Sequence, residues 1–77
     1  MHIGERKKEI LFHIKEQDSY GYEIAKTLDI PVSTVYGHIK DLFEKEIISR
    51  KRKNADRQIY YYLTEKGKRL VTVLNEY

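Results

Sequence analysis

Two groups of residues in this 77-residue chain have the types and spacing to do chemistry. The first lies in PVSTVYGHIKDLFEKEII, from Pro31 to Ile48. Ser33 and Thr34 are short and uncharged, while Tyr36 and Lys40 are long enough to reach outward. With Gly37 between them, they suit hydrogen bonding to base edges and phosphate oxygens. The second group follows at once, as Arg50, Arg52, Lys53 and Arg57. Residues 50–57, RKRKNADR, hold five basic groups and one acid, a local +4 in a chain whose whole charge is +3, so the remainder carries −1. A positive field gathered in so short a segment is the footprint expected for phosphates. A solvated turn in a charge-rich chain has the same composition.

Those groups need elements to hold them. Val35, Ile39, Leu42 and Phe43 fall at i, i+4, i+7 and i+8, one apolar stripe on a 3.6-residue repeat, which predicts a helix over residues 32–46. Ser33, Gly37, Lys40 and Glu44 then share the opposite face. Gly37 is out of place there, since glycine in a helix interior costs about 1 kcal/mol relative to alanine; either the backbone approaches a groove floor or the position is tolerant. His38 flanks this face, to bond a phosphate or to pack at the core rim. The preceding YGYEIAKTL predicts another helix, with Ile24, Ala25 and Leu28 inward and Asp18 or Ser19 as N-cap. Asp29 suits a turn residue with positive φ, and Pro31 fixes the start of the next helix. Two helices joined in this way form a helix-turn-helix, whose second member enters the major groove of DNA, although two amphipathic helices and a tight turn also occur in many proteins that never meet nucleic acid. At the start of the first, the Tyr20 and Tyr22 hydroxyls either bond phosphates or leave their rings to cover the core edge.

The rest of the chain flanks this unit. Glu5 to Gln17 is helical in pattern, with Ile10, Leu11 and Ile14 on its core face, Ile3 extending the stripe and Phe12 outside it. After Ile48 the period becomes alternating, and IISRKRKNADRQIYYYLT reads as a hairpin. Ile59, Tyr61 and Leu63 share one of its faces, and Gln58, Tyr60 and Tyr62 the other. Its turn falls near Asn54, Ala55 and Asp56, with Arg57 just past the tip. Such a wing lies along the backbone or dips into the minor groove, where arginine meets enhanced negative potential. Thr64 is a good N-cap for a last helix over residues 65–77. There Leu70, Val73, Leu74 and Tyr77 line up at i, i+3, i+4 and i+7. This stripe, with Ile3 and Phe12, either forms a twofold contact between subunits or packs back along the first helix. The expected fold is one domain across residues 1–77, mainly α with a small β-hairpin, in the order helix, helix, helix, strand, strand, helix.

Other functions are disfavoured. There is no cysteine, so neither disulfides nor thiolate metal sites are available. His2, His13 and His38 lack metal-ligand spacing, His13 being expected on a helix surface, and no serine sits in a nucleophile turn. No enzyme activity, metal or cofactor is expected. No apolar stretch approaches the ~20 residues needed to span a bilayer, and MHIGERKKEI lacks the apolar core of a secretion signal, so a cytoplasmic location is expected. A chain this short buries only about 60% of its unfolded surface, and a partner subunit would help it.

On these residues the chain resembles winged helix-turn-helix transcription regulators, closest to the PadR, MarR and ArsR group. YGYEIAKTL resembles the second helix of PadR-like proteins, STVYGHIKDLFEKEII the reading helix and first wing strand, and RQIYYYLTEKGKRL the second wing strand and start of the following helix. The likeness covers about residues 20 to 70. It implies that Ser33, Thr34, Tyr36, Gly37 and Lys40 face the major groove and that Arg50, Arg52, Lys53 and Arg57 serve the wing. The implied partner is double-stranded DNA, bound by a homodimer on a near-palindromic site. The long C-terminal dimerisation region of typical PadR proteins and the cysteine motif of ArsR repressors are absent, and no small-molecule effector site is implied. The Ile, Lys, Glu and Tyr-rich composition resembles small regulators of archaea and their mobile elements. A winged-helix module binding an acidic protein partner is the alternative function, and RNA a third if Tyr60 and Tyr62 form a stacking platform.

Overall fold

A computed structural model describes residues 3–53 and 57–75. The elements run α1 (Glu5–Glu16), β1 (Ser19–Tyr20), α2 (Gly21–Leu28), α3 (Val32–Glu44), β2 (Ile48–Arg52), β3 (Ile59–Leu63) and α4 (Glu65–Asn75). The expected order holds with one addition, the two-residue β1, which makes the hairpin a three-stranded antiparallel sheet in the order β1-β3-β2. Ser19 pairs with Tyr61 and Tyr20 with Tyr60. That pairing corrects the expected N-cap of α2. Ser19 is fully buried and donates its hydroxyl to the Gln17 carbonyl at 3.1 Å, while Tyr20 takes the cap position with no side-chain cap bond.

The core gathers Ile10, Leu11 and Ile14 of α1 with Ile24 and Ala25 of α2, Val35, Ile39 and Leu42 of α3, Ile47 and Ile48, Tyr61 and Leu63 of β3, and Val71 of α4. Phe43, counted in the apolar stripe of α3 from its spacing, is instead 37% exposed. The helix also stops short of residue 46. Glu46 adopts a left-handed φ of 61°, its amide donates to the Phe43 carbonyl at 3.0 Å, and the Ile47 amide donates to the Leu42 carbonyl at 3.0 Å. This pair of bonds is a Schellman closure, usually built on glycine. At the end of α2, Asp29 adopts the expected left-handed conformation, with φ 55°.

The junction between α3 and α4 is tight. The Thr64 hydroxyl accepts the Gly67 amide at 3.0 Å, as an N-cap should, and its own proton has the Glu46 carbonyl at 2.7 Å and the Ile47 carbonyl at 3.0 Å within reach. Gly67 is buried against Ile47, whose carbonyl a Cβ at this position would run into. From this anchor α4 packs along α1 and β3. Val71 is buried, Leu70 and Leu74 pack half-buried on the core with Ile3 and Phe12, and Val73 is 48% exposed. Much of the α4 stripe is therefore used within the chain. Tyr77 lies outside the described residues. His13 is half-buried rather than on the surface, and its Nε2 is buried with no hydrogen-bond partner.

Candidate nucleic-acid interface

Amphipathic packing turns the polar face of α3 to solvent. Ser33, Thr34, Gly37 and Lys40 are exposed and His38 is half-buried, while Val35, Ile39 and Leu42 pin the helix to the core. Tyr36 has a second role that its sequence position does not reveal. Its ring covers Gly21 so closely that a Cβ there would collide with it, and it meets the Tyr22 ring edge-on, centroids 6.5 Å apart at 79°. Tyr36 thus spaces α2 from α3 and still exposes 39% of its surface, beside a Tyr22 that is 61% exposed.

The wing joins the same face at its base. The Arg50 guanidinium lies 4.8 Å from the centroid of the Phe43 ring, so a wing cation stacks on the exposed aromatic of α3. Tyr36, Ile39, Lys40, Phe43, Arg50 and Tyr61 line a hollow of about 190 Å³ between the two elements. Tyr61, opposite Arg50 in the ladder, forms its floor. Burial chiefly pushes the Tyr61 phenol above its ordinary range, with Tyr36 adding to the shift and Arg50 opposing it.

Strand alternation divides the basic run that the sequence presents as one group. Arg50 and Arg52 point to the face shared with Ile48 and Tyr61, whereas Lys51 points to the other, with Tyr60 and Tyr62. On that second face Lys51 pairs with Asp18 at 2.6 Å and sits 5.0 Å from the Tyr62 ring centroid, and Lys53 sits 4.4 Å from that of Tyr60. Tyr20, supplied by β1, meets Tyr60 edge-on at 5.3 Å. Arg50 and Arg52 are therefore brought to the α3 side and Lys53 is not. Arg57 is exposed, and the expected turn at residues 54–56 lies outside the described residues.

One further ion cluster links α1 to α3, and the sequence reading missed it. Asp41 accepts from Lys7 of α1 at 2.6 Å and from Lys45 at 3.0 Å. The hydrogen bond from Lys7, then that from Lys45, holds the Asp41 carboxyl below its ordinary range. The i, i+4 pair was readable; the contact with Lys7 depends on how α1 crosses α3.

With this geometry in view, residues 6–74 match the family described as transcriptional regulator SarA/Rot. No curated protein matches the chain. Among solved structures, a mutant of ZitR from Lactococcus lactis is 28% identical with a TM-score of 0.92 over 99% of this chain and 53% of its own. A mutant of MepR from S. aureus is 26% identical, with a TM-score of 0.90 over 96% of this chain and 57% of its own. The adhesin competence repressor AdcR from Streptococcus pyogenes shares the fold at 24% identity, with a TM-score of 0.89 over 96% of this chain and 56% of its own. The chain spans about half the length of these proteins. The winged-helix expectation stands, in the form found in MarR-like regulators; its PadR likeness and archaeal source have no counterpart among these matches. No helix among the described residues is long and apolar enough to cross a membrane.

Proposed function

The chain belongs to the SarA/Rot family of transcriptional regulators, and from that premise we propose that it reads duplex DNA sequence-specifically, with α3 in the major groove and the wing on the backbone or in the adjacent minor groove. The observation that carries this reading is the Arg50–Phe43 stack, because it fixes a wing cation beside the exposed polar face of α3. Ser33, Thr34, Tyr36 and Lys40 then address base edges, with Gly37 at the centre of the face and Tyr22 and His38 at its flanks. Arg50 and Arg52, on the α3 side, neutralise phosphates with Arg57, while Lys53, held over Tyr60 on the other face, adds only to the overall positive field; together they give binding its salt dependence.

The working form is a homodimer in the cytoplasm, reading half-sites about 34–36 Å apart. Val73 is the most exposed apolar residue of α4, and Leu70 and Leu74 of the same helix are half-buried, as are Ile3 and Phe12; these residues and Tyr77 are the proposed dimer contact. Selection of bound duplexes from a random pool tests the proposal. It should return a near-palindromic site, and Lys40→Ala or Tyr36→Ala should change the selected sequence. Absence of binding to any duplex at low salt would sink the reading and favour an acidic protein partner for the same cationic face.

A further inference from the structure

Three glycines lie within helices, Gly21 in α2, Gly37 in α3 and Gly67 in α4. Two are explained from inside the molecule, by the Tyr36 ring over Gly21 and the Ile47 carbonyl against Gly67. Gly37 is not. A Cβ built there meets nothing within 4 Å, and none of the described glycines has a positive φ. It caps nothing either, since α3 closes through Lys45 and Glu46. Positive φ, close internal packing and capping are the reasons a fold retains glycine, and all three fail at this position.

A tolerant surface position leaves the helix cost of about 1 kcal/mol without a return, whereas a body outside the chain that needs the space supplies one. Gly37 sits mid-helix on the exposed face, with the short Ser33 and Thr34 one turn before it and Lys40 one turn after. An α-helix with its side chains is about 10–12 Å across and the major groove about 12 Å wide, so one outward side chain decides how deep the axis seats. Serine and threonine reach base edges only if the helix seats deeply. Building on the DNA reading proposed above, we infer that Gly37 is a specificity-determining clearance: its missing side chain lets the α3 backbone lie against the groove floor, so that Ser33 and Thr34 touch bases.

The inference separates folding from recognition, which push in opposite directions at this residue. Gly37→Ala should raise the thermal midpoint by about 4–8 °C, the shift expected when a domain of this size gains a better helix former in open space. Its affinity for the duplex selected by the wild type should fall at least about tenfold, a loss of ~1.4 kcal/mol, and by a larger factor than its affinity for random duplex at the same salt. Gly37→Val should bind the selected duplex more weakly still. A Gly37→Ala protein that binds the selected duplex as tightly as the wild type overturns the inference while leaving the DNA reading intact. A wild type that selects no duplex overturns both.

Discussion

The Tyr36 ring occupies the space that a side chain on Gly21 would need, joining the start of α2 to the outer face of α3 in one contact. Because that ring is 39% exposed it has room to swing away. Gly21→Ala should therefore cost about 1 kcal/mol or less, at the low end for an overpacked site, yet displace Tyr36 from its place beside Tyr22. Denaturant midpoints should show the small cost and selection from a random duplex pool the changed preference. A wild-type selection profile would mean that the ring position does not matter for recognition.

Gly67 presents the opposite case. The obstacle there is the Ile47 carbonyl, held by the Thr64 amide at 3.1 Å, and backbone cannot rotate out of the way as a ring can. Gly67→Ala should destabilise by about 2–3 kcal/mol despite its better helix propensity. Urea unfolding of the two alanine variants, side by side, measures the contrast; equal midpoints would refute it.

The two faces of the wing should respond differently to substitution. Arg50→Ala and Arg52→Ala, on the α3 side, should weaken binding to all duplexes and lower the salt slope by about 1 each. Lys51→Ala should leave both nearly unchanged, because Lys51 points to the other face and pairs with Asp18. Titrations over a range of salt would settle the matter, and a Lys51 effect as large as that of Arg52 would contradict the division.

Phe43→Ala tests the stack that seats Arg50. Phe43 is 37% exposed, so removing its ring should cost about 1–2 kcal/mol of stability without unfolding the domain, while loss of a cation–π contact of about 0.5–1 kcal/mol should loosen Arg50 and reduce affinity severalfold. Phe43→Tyr should retain the affinity. A Phe43→Ala protein with unaltered binding would show that the stack does not position the wing.

Acid should weaken the joint between α1 and α3. The Asp41 carboxyl is held below its ordinary range by Lys7 and Lys45, so the folded state binds its proton less readily than the unfolded chain. Its stabilising contribution is complete above the ordinary carboxylate range and is lost as pH falls through the depressed folded value. Asp41→Asn should flatten this part of the acid limb in a plot of stability against pH. An acid limb identical to that of the wild type would rule out the linkage.

Local chemistry in the sequence determined the helices, the left-handed Asp29, the Thr64 cap and the alternation of the wing, because each depends on residues within a turn or two of one another. The polar face of α3 was legible for the same reason: Ser33, Gly37 and Lys40 share a face wherever residues 32–44 are helical. The Schellman closure was missed because Glu46 takes the left-handed place where a glycine would have announced it. Only the tertiary structure decided that β1 pairs with β3, that Tyr36 rests on Gly21, that Lys7 reaches Asp41, and that Arg50 stacks on Phe43 while Lys53 lies over Tyr60. These contacts depend on how separate elements cross and on strand register, which burial of the whole apolar core selects and no short window of residues contains.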